Sequence, residues 1–129
     1  LMGRAPKETA IIEMWDRLAE WEGLMAVSEV FRNTHKLFAG RGLAGYDRDI
    51  PQIPELAERG NFRLGLFFDK IDKQLGRHEF LAGDRFSFAD ITALCAIDFG
   101  ISRHLPIPEN CAHVIDWHGR VSARPAISG

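Results

Sequence analysis

The sequence predicts an all-α domain, a bundle of four main helices with a short fifth, and three observations lead there. Apolar residues return every three or four positions through four separate stretches. One of these stretches opens with a full set of helix N-terminal signals. No run of useful length alternates with the period of two that a half-buried strand needs.

The first helix starts at Pro6, because proline is tolerated at N1 and the acid Glu8 suits the positive end of the dipole. Its apolar positions are Ile11, Met14, Trp15, Leu18, Trp21, Leu24 and Met25, and then Val30 and Phe31. That stripe is too wide for a helix buried on one side only, so one flank should meet the core and another should meet something else. Gly40, Gly42 and Gly45, followed by Tyr46-Asp47-Arg48-Asp49 and by Pro51 and Pro54, cannot extend a helix and predict a loop. Helical spacing resumes from Glu55 through Leu56, Phe62, Leu66, Phe67, Ile71 and Leu75, with Gly76 in the C-cap position. Gly60 and Gly65 should weaken this helix by about 1 kcal/mol each relative to Ala.

The next helix start is the most detailed. Ser87 is the N-cap and Asp90 is N3, so hydroxyl and carboxylate can each satisfy the other residue's orphan N–H. Phe86 at N′ and Ile91 at N4 have the spacing of a hydrophobic staple. The helix runs on through Leu94, Cys95, Ile97 and Phe99 toward Arg103 and is the most apolar segment, which predicts a central position. Pro106 and Pro108 interrupt the pattern, and a last helix follows through Val114, Trp117 and Val121 until Pro125 limits it.

At 129 residues, 46% apolar and 26% charged, the chain reads as one domain, 1–129, able to bury a core. A formal net charge of −2 gives no electrostatic footprint for nucleic acid or an anionic membrane. Charge interrupts every apolar stretch well before the ~20 residues of a membrane span, and the N-terminus lacks a signal-peptide plan. A cytoplasmic location is the expectation. The start at Leu1-Met2-Gly3 and the stop soon after a helix suggest excision from something longer. Two cysteines make no disulfide scaffold, and both are expected reduced, with Cys95 as a small core residue. Cys111, His113 and His118 match none of the common zinc spacings, so no metal is expected.

The run Leu81-Ala82-Gly83-Asp84-Arg85-Phe86-Ser87-Phe88-Ala89-Asp90-Ile91 resembles, position by position, the capping box and staple of the C-terminal helical domain of cytosolic glutathione transferases, of a bacterial type. Glu8, Ala10 and Ile12-Glu13-Met14-Trp15 resemble that domain's first helix, and Val121-Ser122-Ala123-Arg124-Pro125 the exit of its last major one. The resemblance implies the electrophile-binding, dimer-forming half of an enzyme that conjugates glutathione to hydrophobic electrophiles. In that family the thiolate-stabilising hydroxyl or thiol lies in a thioredoxin-like domain that this chain does not contain. No catalytic residue therefore carries over, Tyr46 does not match the catalytic position, and the chain alone should be inactive. Glutathione is implied as co-substrate and no cofactor is implied.

By the same resemblance, Asp16 and Arg17 fall near the polar group that contacts the glutathione amine. Trp21 and Leu24 share a face with Arg17 if the α-helical phase holds, and with Phe99 they are the candidate pocket walls. Ser87 and Asp90 are read as structural capping residues, since backbone donors consume both side chains and no histidine base stands beside them in sequence. His35, after Asn33-Thr34, could line the pocket mouth, but an exposed helix end beside the partial negative charge is the favoured expectation. A non-enzymatic alternative remains: similar domains serve translation factors and aminoacyl-tRNA synthetases as assembly modules.

Overall fold

The computed structural model describes residues 1–128. Helix α1 (Pro6–Leu18), a π-helical turn (Ala19–Leu24) and α2 (Met25–Arg32) form one uninterrupted rod. After it come a short 3₁₀ turn (Lys36–Phe38), α3 (Pro54–Leu75), α4 (Phe88–Ser102), α5 (Ala112–Ser122) and the single turn α6 (Pro125–Ser128). This is the expected all-helical bundle, with no strand among the described residues beyond isolated bridges at Arg41–Ile50 and Phe80–Gly83.

The π turn coincides with a close packing contact. Gly23 faces the ring of Phe67, and a Cβ there would stand 2.9 Å from the ring carbons, so only glycine lets the rod approach α3 at this level. Gly60 does the same from the other helix, since its added Cβ would lie 2.9 Å from the Ala26 carbonyl and 3.0 Å from Val30 Cγ2. The helix propensity lost at Gly60 is thus the condition for a close α2–α3 crossing, whereas Gly65 meets nothing within 4 Å. Gly76 is the C-cap as expected, but in right-handed backbone at φ −74°.

Helix α4 lies at the centre, packed against α1, the π turn, α2 and α5. Its buried positions are Ala89, Asp90, Ala93, Leu94, Ala96, Ile97 and Gly100, which join Trp15, Val27, Phe67, Ile71 and Trp117 in the core. Cys95 is exposed and Cys111 is buried, which corrects the expected core position of Cys95. The reason is that α4 is apolar nearly all round, so its sequence carries no phase from which an outward residue can be picked.

The capping box forms as expected. The Asp90 carboxylate accepts from the Ser87 N–H at 2.9 Å, and it also takes two bonds that local sequence does not suggest, from the Leu81 N–H at 3.1 Å and the Trp117 indole at 2.9 Å. A second cap is supplied from a distance: Asp72 on α3 accepts from the His113 and Val114 N–H groups at the start of α5, at 3.0 and 3.1 Å. Phe86 stands edge-on to Phe80 and beneath the Arg124 guanidinium, 3.9 Å from its ring centroid.

The connection from α2 to α3 is held by side chains. Asn33, buried at the end of α2, donates to the Glu29 carbonyl at 2.8 Å and accepts from the Ile53 N–H at 2.9 Å. Gln52 donates to the Arg32 and His35 carbonyls at 3.0 and 2.8 Å. Gly40, at φ +75°, turns the chain so that its carbonyl accepts from the Ile50 N–H. No described helix is long and apolar enough to cross a membrane.

Candidate functional site

The α2–α3 connection folds over the end of the rod and leaves a cleft of about 510 Å³ between α2, the loop, the start of α3 and the end of α4. Its apolar wall is an aromatic cluster. Phe31 meets Phe99 edge-to-face at 5.6 Å and Phe38 at 4.9 Å, with Met25, Leu43 and Leu56 continuing the surface. Helical spacing explains the α2 contribution, since Met25, Ser28, Glu29 and Arg32 recur every three or four residues along one face.

Few polar groups break this wall. Glu29 pairs with Arg63 at 3.1 Å, while its Oε2 is buried without a hydrogen-bond partner among the described residues. The Arg32 guanidinium lies over the Phe38 ring at 3.9 Å and donates to the Arg41 carbonyl at 3.3 Å. Arg103 lies over Phe31 at 4.6 Å. His35 is half-buried rather than exposed: its Nδ1 accepts from the Leu37 N–H at 3.2 Å and its ring meets Phe31 at 5.1 Å. A concave, mainly aromatic surface with a few fixed polar groups suits an apolar small molecule better than a metal or an acyl-transfer site. Among the described residues no group of three His, Cys, Asp or Glu stands close enough to hold a metal ion.

The sequence candidates are spread over three places. Phe99 lines the cleft. Asp16 is half-buried and accepts from the Thr92 hydroxyl, joining α1 to α4. Arg17 is exposed between Glu20 at 2.6 Å and Glu13 at 2.9 Å, and hydrogen bonds to these carboxylates raise its pKa above the ordinary value. Trp21 is 63% exposed and Leu24 half-buried, and neither lines the cleft. The π turn is the physical reason. Its hydrogen bonds span five residues rather than four, so the face shared by 17, 21 and 24 in an ideal α-helix is not carried through it.

Ser87 and Asp90 lie away from the cleft and are buried, and the Ser87 hydroxyl donates to Asp90 Oδ2 at 3.4 Å within the cap. Burial pushes the Asp90 carboxyl above its usual range, against the opposing effect of the donors from Leu81, Trp117 and Ser87. Burial likewise raises the Cys111 thiol, helped by the charges of Asp72 and Asp69, so this thiol is held unreactive. Sequence reasoning missed Phe31 as a wall, Phe38, and the Asn33 and Gln52 clamps. The Phe31–Phe38 spacing and the polar residues flanking the glycine-rich loop were the only available signals.

Residues 23–125 match the family described as Glutathione S-transferase, C-terminal domain. Glutathione S-transferase 2 of Saccharomyces cerevisiae is 33% identical over 129 residues, covering 98% of this chain and 52% of the relative. The crystal structure of Gtt2 from the same yeast superposes with a TM-score of 0.88 at 28% identity, over 99% of this chain and 59% of that one. A glutathione S-transferase domain-containing protein of Marinobacter aquaeolei gives 0.82 at 38% identity, over 98% and 59%. The chain thus spans about half the length of the curated relative it matches. The capped central helix, the long rod and the sustained match agree: this chain belongs to the glutathione S-transferase C-terminal domain family.

Proposed function

We propose that this chain is the electrophile-binding half of a cytoplasmic, homodimeric glutathione transferase that joins the glutathione thiol to hydrophobic electrophiles. The observation that carries this reading is the aromatic cleft of Phe31, Phe38 and Phe99 at the junction of the long rod and the capped helix. An apolar wall there strips water from the electrophile and orients its reacting atom, so these residues govern which molecules are accepted. The thiolate is formed by a thioredoxin-like domain, and no residue of this chain is given a catalytic role. Dimer formation fits the second flank of the rod, where Met14 and Trp21 are exposed, with Phe62 and Leu66 exposed on α3. The Trp21 carbonyl accepts from Arg63, the neighbour of Phe62, which ties these two elements together.

The test has two parts. Calorimetry should detect glutathione binding to this chain joined to a thioredoxin-like domain, as in a longer product of its reading frame if one exists, and not to this chain alone. In that longer product, Phe99→Ala should raise KM for an aromatic electrophile about five- to twentyfold with a smaller change in kcat, as loss of one buried aromatic contact implies. No glutathione binding by either form would move the assignment to the non-enzymatic assembly module.

A further inference from the structure

The aromatic cleft does not end at its own rim. It shares Arg32, Leu43 and Ala44 with a second recess of about 460 Å³, whose added lining includes Arg41, Tyr46 and Asp47. The two recesses differ in chemistry. One is walled by aromatic rings, while the other is lined by two arginines and a single aspartate.

Arg32 sits at the junction, held by Phe38 beneath it and by one bond to the Arg41 carbonyl. A guanidinium carries five N–H donors, so most remain available in an already fixed orientation. The Arg41 side chain makes no hydrogen bond or ion pair among the described residues. Its backbone is fixed all the same, because the N–H groups of Gly42 and Ile50 bridge across the loop on either side of it. Among the described residues Asp47 is in no ion pair with either arginine, and Glu29, the carboxylate of the cleft itself, is held by Arg63 through Oε1 at 3.1 Å while its Oε2 has no hydrogen-bond partner.

We propose that the site takes an amphipathic anion, with its aromatic body among Phe31, Phe38 and Phe99 and a carboxylate or sulfonate between Arg32 and Arg41. This rests on the reading of the cleft as the electrophile site and narrows its substrate class to electrophiles that carry a negative group a few bonds from an aromatic ring. Arg41 supplies charge and Arg32 supplies charge with direction, since its plane is set by the stack on Phe38.

The test uses naphthalenesulfonate and naphthalenesulfonamide, which share a ring body and differ in charge, titrated calorimetrically into the full chain. The sulfonate should bind about tenfold more tightly, and added salt should weaken it alone. Arg41→Gln should bring the two ligands to within about twofold of each other while leaving the sulfonamide unchanged. Equal binding by the native chain, or equal weakening of both ligands by Arg41→Gln, overturns the proposal. So does displacement of the sulfonate by glutathione, whose own carboxylates would then be the anion the arginines hold. Phe99→Ala separates the two readings. Weakening of both ligands by this variant, with no effect of Arg41→Gln, keeps the cleft and removes the anion site. No effect of Phe99→Ala, with the Arg41 preference intact, keeps the anion site and removes the cleft.

Discussion

Replacing Asp90 by Ala removes far more than a helix cap. A capping residue alone is worth about 0.5–2 kcal/mol, which is what Ser87→Ala should cost. Asp90 is 0% exposed and its carboxylate accepts from three N–H groups, those of Ser87, Leu81 and Trp117, on three different segments. Truncation strands these donors in a site closed to water, at about 1–3 kcal/mol each. Relief from no longer burying a charge offsets part of this, since burial already raises the Asp90 pKa. The net expectation is ~3–5 kcal/mol, at the level reserved for broken buried networks. Urea unfolding followed by far-ultraviolet circular dichroism measures it directly, provided the slopes of the variants agree. Trp117→Phe deletes one donor and should couple to Asp90→Ala by about 1–3 kcal/mol in a double-mutant cycle. A cost for Asp90→Ala no larger than that of Ser87→Ala, or zero coupling to Trp117, would refute the network and return Asp90 to a plain capping role.

Three further outcomes follow from the same geometry. The folded-state pKa of Asp90 is raised above 3.8, so its contribution to stability is full below that value and is lost as pH rises through the folded pKa; native protein should therefore gain on Asp90→Asn as pH falls through this interval, and a gap that widens against the native chain would contradict the burial argument. Gly65→Ala should stabilise by up to about 1 kcal/mol because nothing lies within 4 Å of the added methyl, whereas Gly60→Ala should destabilise by about 1–3 kcal/mol by forcing α3 off the Ala26 carbonyl; equal melting shifts of one sign would refute this account of the crossing. In the folded chain a disulfide-exchange reagent should modify one thiol rapidly, Cys95, and leave Cys111 unreacted until denaturant is added.

How much of this was legible beforehand depends on how local the determining chemistry is. The start of α4 could be read from eleven consecutive residues because a capping box is closed by side chains three positions apart. The end of α3 followed from Gly76, whereas its start was read one residue late, at Glu55, because Pro54 was assigned to the loop and not to the first turn that it occupies. The bonds from Leu81 and Trp117 to Asp90, and from His113 and Val114 to Asp72, join residues from 9 to 42 positions apart, and no local pattern announces them. Cys95 was placed inward because a helix apolar on every face gives no phase.

The site itself turned on the same distinction, at the π turn. The α-helical count from Arg17 to Trp21 and Leu24 assumes a hydrogen bond to the fourth residue at every step, and one region bonded to the fifth is enough to rotate everything beyond it. That region sits where Gly23 admits the Phe67 ring, forty-four residues away in sequence. The residues up to and within the turn and those after it therefore serve different surfaces: Met14 and Trp21 are exposed, while Met25, Ser28 and Arg32 line the cleft with Phe99. A wide apolar stripe on the first helix thus resolves into two faces, and the turn between them decides which residues line the cleft. Removing that turn should move the cleft wall. In Gly23→Ala the methyl would stand 2.9 Å from Phe67, so α2 must shift along or away from α3. The expected result is a stability loss of about 1–3 kcal/mol together with weaker binding of a naphthalene probe in the cleft. Loss of stability with unchanged probe affinity would show that the cleft wall is set by the Asn33 and Gln52 clamps alone.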